Sequence, residues 1–214
     1  MNEKVKKQGF DVAPYTVAVV GCGGLGTNAA VHLAGAGVGK LLLCDFDTVQ
    51  QSNLNRQFFY TPQDTGQKKA ALLGKRLRDF APDVAVDVFD KKITAPEDLA
   101  FTERADLLIA AVDNADARRV ICDWCRQSGK PYINGGVDGA FGTVYLCVPG
   151  KTPDLEAAGG LLQSTQAPLA QSPTVGIIGA LQAKLAVDFL CGDHSSQGKL
   201  FCFDGNTIQT LSLK

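Results

Sequence analysis

The sequence has 214 residues, of which 45% are hydrophobic and 20% are charged, a composition typical of a folded globular protein and not of a disordered one. Its 21 basic and 22 acidic residues leave a net charge of -1, which excludes an overall electrostatic attraction to nucleic acid or to an anionic membrane surface. The N-terminus has no signal-peptide pattern, and no apolar run reaches the roughly 18 residues of a membrane span. We therefore expect a soluble, cytoplasmic protein that binds neither nucleic acid nor membrane.

Apolar runs of strand length alternate with helical patterns through the first two thirds of the chain. Expected strands lie at 17–20, 85–89, 106–112 and 130–136, a second strand ends at Asp45, and helices lie at 67–80, 96–101 and 115–128. This alternation predicts an α/β protein with a doubly wound, Rossmann-like, mostly parallel sheet, in which right-handed crossovers place helices on both faces.

The pattern changes after residue 140. Residues 142–148 alternate as in an antiparallel strand, 151–173 are a loop of small residues, and 174–190 are a long apolar helix. Two strand-like runs flank Asp204-Gly205-Asn206, which indicates a hairpin. We expect antiparallel strands at the C-terminal end of the sheet, and one domain over 16–214 that follows an N-terminal extension over 1–15.

A glycine turn follows the first strand, as Gly21-x-Gly23-x-x-Gly26, and opens a helix. Glycines let the backbone approach phosphate, and the N–H groups at the start of the helix donate to it. Asp45, at the end of the second strand, is placed to hold ribose hydroxyls. A nicotinamide cofactor and ATP both have such a ribose, so these residues do not distinguish them.

The polar segment after Asp45 favours a triphosphate. It carries one acid, three amides and three cations at the sheet edge where such folds bind ligands: Asp47, Asn53, Asn55, Arg56, Gln57, Lys68 and Lys69. A hydride-transfer site needs fewer phosphate-binding groups, whereas transfer at phosphorus needs positive charge. The alternative is a solvated polar loop before a charged helix, and that is our interpretation of Lys68.

These segments together resemble the ThiF/MoeB/HesA family of adenylyltransferases, within the ubiquitin-activating enzyme superfamily. The resemblance rests on GCGGLG, LLCDFDTVQQSNLNRQF, TGQKKA, AVDNADAR and SPTVGIIGALQAKLAVDFLCG, and runs from about Val17 to the C-terminus. It implies an enzyme, often a homodimer, that uses ATP and magnesium to adenylate the C-terminal Gly-Gly carboxylate of a small ubiquitin-like sulfur carrier of the ThiS/MoaD type. Pyrophosphate is released.

The resemblance also assigns roles to residues. The glycine turn, which includes Gly24, would cradle the phosphates, and Asp45 would hold the ribose, with Asp47 and Gln57 nearby. Asn53, Arg56 and Lys69 would stabilise the triphosphate and its transition-state charge. Asp113 would hold magnesium, although its position before a helix also suits a helix cap.

We also expect three features to be absent: a catalytic general base, a zinc site and a covalent link to the carrier. A carboxylate nucleophile is already ionised and needs no general base, so we interpret His32 and His194 as structural. The single C-x-x-C, at Cys122 and Cys125, lacks a second pair, so no zinc is predicted. Some relatives link covalently to the carrier through a cysteine in the crossover loop. Residues 149–173 contain none, and the hydroxyls there (Ser164, Thr165, Ser172) have no nearby histidine, so we expect no covalent link.

Two other functions fit parts of the pattern. A non-catalytic member of the same fold would bind a nucleotide or a partner as a scaffold. An NAD-dependent oxidoreductase would use the same glycine turn, but the cationic loop argues against it.

Overall fold

Eight strands form one continuous sheet in the computed structural model, which describes residues 11–154 and 170–213. The strands are β1 (Thr16–Val20), β2 (Lys40–Cys44), β3 (Ala85–Phe89), β4 (Leu107–Ala110), β5 (Tyr132–Asp138), β6 (Phe141–Cys147), β7 (Lys199–Phe203) and β8 (Ile208–Ser212). The α-helices are α1 (Gly24–Ala36), α2 (Lys69–Phe80), α3 (Ala115–Ser128) and α4 (Ser172–Leu190). Shorter 3₁₀ helices lie at Gln51–Asn53, Pro62–Asp64 and Pro96–Arg104.

The strand order across the sheet is β3-β2-β1-β4-β5-β6-β7-β8. Strands β1 to β5 pair in parallel, and β5 to β8 pair antiparallel, with β7 and β8 joined as a hairpin. The expected Rossmann-like sheet with an antiparallel C-terminal end is therefore confirmed.

Several element bounds differ from those expected. Helix α2 begins at Lys69 and not at residue 67, because Lys68 is extended and forms an antiparallel bridge with Thr48. The turn at Pro96–Arg104 is a 3₁₀ helix and is longer than expected. Helix α4 begins two residues early, with Pro173 in its first turn, where a missing N–H costs no hydrogen bond.

The central strands are buried on both faces, which explains their unbroken apolar runs. In β1, Val17 and Val19 belong to the cluster on one face, whereas Ala18 and Val20 belong to the cluster on the other. Val12 is also buried in the first of these clusters. The boundary expected after residue 15 stays a prediction.

The sheet reverses its direction of growth between β1 and β4. From β1 the chain adds β2 and β3 on one side, then returns to place β4 on the other. Loops that leave the carboxyl ends of these two neighbours diverge, and a crevice opens between them. The glycine turn leaves β1, and the segment with Asp113 leaves β4.

Helix α4 packs closely on α1 at Gly179. A Cβ atom at Gly179 would lie 2.6 Å from the Asn28 Cβ and 2.8 Å from the Leu25 carbonyl oxygen. Gly176, one turn earlier, has nothing within 4 Å of such an atom. Of these two glycines, only Gly179 therefore permits a close approach between helices.

By length and composition alone, α4 could cross a membrane, with a mean hydropathy of 1.3. Half of that apolar window is buried inside the protein. Its closest neighbours are α1, β5 and β6, and core helices of this kind pass the same test.

We predict opposite effects for the same substitution at these two glycines. Gly179→Ala should lower the free energy of unfolding by about 1–3 kcal/mol, because the added methyl overlaps α1. Gly176→Ala should leave it unchanged or raise it by up to about 1 kcal/mol, because alanine is the better helix former. Urea denaturation of both variants measures the difference. Equal effects would contradict the packing described.

Candidate functional site

A cleft of about 1420 Å³ lies at the carboxyl ends of β1, β2, β4 and β5. Nine residues expected at the site line it: Gly21, Gly23, Gly24, Asp45, Asp47, Arg56, Gln57, Lys69 and Asp113. Gly26 and Asn53 are not part of its wall. The structure thus brings together groups that span more than 90 residues of sequence.

The glycines of the turn have different physical reasons to be glycine. Gly21 has a φ of +96°, and a Cβ there would lie 2.5 Å from the Ala111 carbonyl oxygen. A Cβ on Gly24 would lie 2.5 Å from Val175 Cγ1. At Gly26 it would lie 1.7 Å from the Gly21 carbonyl oxygen, so the packing of α1 on the end of β1 requires a glycine there.

Helix α1 presents its N-terminus to the cleft. Its N-cap residue is Gly23, and no described side chain caps the helix. The first N–H groups of a helix have no partner within it and carry partial positive charge. The turn therefore suits an anion, as expected from the sequence.

Asp45 joins the glycine turn to the loop that follows β2. Its Oδ2 accepts a hydrogen bond from the Cys22 N–H at 2.6 Å, and its Oδ1 accepts one from the Asp47 N–H at 2.8 Å. Burial raises the pKa of Asp45, while these two N–H groups and the charge of Lys69 oppose that rise. The carboxylate lines the cleft and also fixes the shape of two backbone segments.

Lys69 is a buried cation, with 5% of its surface exposed. Its ammonium lies 3.0 Å from the Asp47 carboxylate, whose side chain is 47% exposed. Lys68, its neighbour, instead points outward and pairs with Asp90 and with the Phe46 carbonyl oxygen. The two lysines therefore differ as expected: Lys69 faces the cleft, and Lys68 is a surface residue.

Arg56 has no carboxylate partner in the described part of the chain. Its guanidinium donates to Asn55 Oδ1 at 3.0 Å and to the Ser52 carbonyl at 3.4 Å. Both partners are neutral, so its charge remains unneutralised beside the cleft.

Two amides of the same loop have buried oxygens that lack a partner among the described residues. Gln57, 5% exposed, lines the cleft near Gly23, and its Oε1 is one of them. The other is Asn53 Oδ1. The Asn53 carbonyl accepts from the N–H groups of Arg56 and Gln57, so Asn53 shapes the turn that presents those two residues.

Asp113 is exposed to the cleft and makes no hydrogen bond or ion pair with another described residue. The helix cap belongs to Asn114, whose Oδ1 accepts from the Ala117 N–H at 2.8 Å. The capping alternative for Asp113 was therefore wrong. Its role as a magnesium ligand stays a prediction.

Comparison with known proteins identifies the family. The model of the ThiF family matches residues 8–214. This chain belongs to the ThiF family. It is 33% identical over 204 residues to the sulfur carrier protein ThiS adenylyltransferase of Escherichia coli (strain K12), covering 92% of this chain and 80% of that protein.

Other relatives of this ThiF-family protein are longer. The chain is 30% identical over 207 residues to the adenylyltransferase and sulfurtransferase MOCS3 of Dictyostelium discoideum, covering 89% of this chain but only 47%, about half, of that protein. The enzyme class expected from the sequence, an adenylyltransferase, is confirmed at the level of these relatives' names.

Solved structures share the fold. The crystal structure of E. coli MccB with ATP superposes with a TM-score of 0.84 at 23% identity, over 99% of this chain and 66% of that one. MccB in complex with N-formylated MccA gives 0.86 at 22% identity, over 100% and 68%.

The sequence did not predict the residues that anchor the loop between β2 and α2. The Tyr60 hydroxyl lies 2.8 Å from the Cys22 carbonyl oxygen. Buried Asp64 accepts hydrogen bonds from the Thr61 N–H at 2.6 Å, the Thr61 hydroxyl at 2.8 Å and Arg76 at 2.7 Å. The Thr61-x-x-Asp64 spacing is a capping-box pattern and could have been recognised.

Additional cations line the cleft: Lys91 and Lys92 after β3, and Arg118 and Arg119 in α3. Arg118 donates to the Val112 carbonyl at 2.8 Å and to the Gly135 carbonyl at 3.1 Å, and also contacts Asn134 Oδ1. Basic residues near the start of α3 were visible in the sequence, but nothing there indicated these backbone partners.

The described cysteines near the cleft are poor nucleophiles. Burial raises the pKa of Cys22 and Cys147 and raises that of Cys44 to about 12, so at neutral pH these thiols are protonated.

The described residues contain no cluster of three or more groups suited to bind a metal. Cys122 and Cys125 are buried in α3 and form no disulfide within the described part of the chain. Ser164 and Thr165 lie outside the described residues.

We predict that Asp64→Asn destabilises the protein by about 1–3 kcal/mol at neutral pH, because three hydrogen bonds then meet a neutral amide. Urea unfolding measures this. Asp79→Asn is the control, since Asp79 is an exposed acid of α2 without a described partner, and it should change little.

The same variant should alter the pH dependence. Burial raises the pKa of Asp64, but hydrogen bonds from Thr61 and Arg76 outweigh it, and the net pKa is lowered. A lowered pKa stabilises the fold above the unfolded-state pKa of about 4, and this contribution is lost as pH falls below it. Stability should therefore fall less on acidification in Asp64→Asn than in wild type. If the free energies of unfolding of the two proteins fall in parallel as pH is lowered, Asp64 does not stabilise the fold in this way.

Proposed function

We propose that this protein is an ATP-dependent adenylyltransferase that activates the C-terminal Gly-Gly carboxylate of a small ubiquitin-like sulfur carrier protein of the ThiS/MoaD type. The observation that carries the proposal is that one cleft brings together the glycine turn, Arg56 and Lys69 with the exposed carboxylate of Asp113.

The phosphate-binding wall fits a triphosphate in three respects. The N-terminus of α1 offers N–H donors, Arg56 offers a guanidinium with no carboxylate partner among the described residues, and Lys69 offers a buried ammonium. A nicotinamide dinucleotide would not need two such cations at one end of its site.

Asp113 fits a hard divalent cation. Carboxylate oxygens, water and phosphate oxygens are the ligands that magnesium prefers, and Asp113 supplies an exposed carboxylate that pairs with no other residue in the described part of the chain. Asp113 would hold magnesium, which supplies positive charge to the phosphate oxygens.

The reaction needs little else from the protein. A carboxylate oxygen of the carrier attacks the α-phosphorus of ATP, the bond to the bridging oxygen breaks, and pyrophosphate leaves with that electron pair. The nucleophile is already ionised at neutral pH. The work of Arg56, Lys69 and the α1 N–H groups is therefore to offset the repulsion between anions and the charge that develops in the transition state.

Relatives support the carrier as substrate. The E. coli relative is named as an adenylyltransferase of the sulfur carrier ThiS, which favours a partner of that type. By family resemblance we further propose a homodimer that acts in the cytoplasm, without zinc and without a covalent link to the carrier.

We predict that calorimetry detects binding of Mg-ATP and none of NAD. Exchange of labelled pyrophosphate into ATP should require a carrier with an intact C-terminal Gly-Gly, and a carrier shortened by its last glycine is the matched control. Tight NAD binding without ATP binding would indicate an oxidoreductase. ATP binding without exchange, tested over a panel of carriers, would indicate a scaffold.

We predict that Arg56→Ala slows carrier-dependent pyrophosphate exchange by about a hundredfold or more, the scale seen when one preorganised charge stabiliser is removed. Arg104→Ala is the control, because Arg104 is exposed and pairs with Asp87 outside the cleft. The control should retain the wild-type rate. Equal rates in both variants would remove Arg56 from the site.

A further inference from the structure

Gln182 is a fully buried polar side chain of α4, with 0% exposure. Its Nε2 lies 3.2 Å from the Ala110 carbonyl oxygen and 3.5 Å from the Ile133 carbonyl oxygen. Ala110 is the last residue of β4 and Ile133 lies in the neighbouring β5. The amide therefore bridges two strands at the point where β4 ends, three residues before Asp113.

Strand β5 is shaped to admit this amide. A Cβ atom on Gly135 would lie 2.5 Å from Gln182 Cδ and 2.6 Å from its Nε2. Any side chain at residue 135 would therefore displace the amide from the two carbonyls. The glycine and the glutamine form one packing arrangement.

Arg118 contacts the same junction from α3, on the other face of the sheet. It donates to the Val112 carbonyl at 2.8 Å and to the Gly135 carbonyl at 3.1 Å. Val112 immediately precedes Asp113. The backbone that leads to Asp113 is thus held at residue 110 from one face and at residue 112 from the other, and both contacts extend to β5.

Stability alone does not account for an amide at residue 182. Its Oε1 is buried and has no partner among the described residues, and an unsatisfied buried acceptor destabilises a fold. A methionine of similar volume would avoid that cost. The amide nitrogen therefore matters because it holds β4 and β5 in a fixed position relative to each other.

We propose that Gln182 and Arg118 form a β4–β5 clamp that fixes the position of Asp113 in the cleft, and that both are positioning residues for the metal-dependent part of the reaction. This inference rests on the proposed function for its second half. Neither side chain needs to touch the nucleotide, because each acts through the backbone before Asp113.

The first test uses the protein without ligand. Hydrogen–deuterium exchange of the segment 107–116 should be faster in Gln182→Met than in wild type, because one anchor of that segment is lost. Leu190→Ala is the matched control: it truncates a buried residue at the far end of α4, so it should lower global stability without a selective effect on 107–116. Arg118→Lys, at a half-buried position, should reproduce the local effect, because a lysine cannot bridge both carbonyls.

The second test is calorimetric titration with ATP, once with magnesium and once with a chelator. In Gln182→Met and Arg118→Lys we expect affinity with magnesium to fall about tenfold, the scale for loss of an outer-shell partner of a metal site. Affinity with chelator should change much less. Leu190→Ala should keep the wild-type ratio between the two conditions.

The outcomes separate the two proposals. If wild type binds no Mg-ATP, the proposed function fails, and the exchange experiment still decides whether the clamp exists. Wild-type exchange of 107–116 in both clamp variants overturns the clamp. An equal loss of affinity with and without magnesium overturns its link to Asp113, as does the same magnesium effect in Leu190→Ala.

Discussion

The arrangement of this protein depends on a backbone contact within the glycine turn. A single carbon atom added at Gly26 would lie 1.7 Å from the Gly21 carbonyl oxygen, so the first turn of α1 rests directly on the end of β1. This contact aims the N–H groups of α1 into the crevice between β1 and β4. Helix α4 approaches the same turn at Gly24, and the cleft is built outward from there.

Carboxylates organise the loop that surrounds this turn. Asp45 holds it at one end, through N–H groups of Cys22 and Asp47, and Asp64 holds it near the other, through Thr61 and Arg76. Between them, Arg56 and Gln57 are presented from a short turn and not from a regular element. Rigid support of this kind matters for catalysis by charge, because donors that are already oriented need not reorganise during the reaction.

The sequence predicted the sheet well because β1, β2 and β4 are buried on both faces and therefore appear as apolar runs. The glycines and polar residues singled out in the sequence likewise include nine residues of the cleft wall. The sequence could not distinguish Gly21, at the cleft, from Gly26, in a packing contact, because both obey one motif. The sequence likewise could not show that Gly179 packs against α1 and Gly176 does not. The role of Gln182 could not be predicted from its position in an apolar helix, because its hydrogen-bond partners lie in strands about 50 and 70 residues earlier in the sequence.

The ion pair between Lys69 and Asp47 places a counter-ion within the cleft itself. If Lys69 binds a phosphate, as proposed, that phosphate would replace a carboxylate that already neutralises the ammonium, and binding would be an exchange of one anion for another. Such an exchange would reduce the electrostatic gain on binding, and Asp47 could return to Lys69 when the anion leaves. Lys69, buried in the folded protein, would then keep a negative partner throughout, and a phosphate product would not be trapped by the cation that bound it.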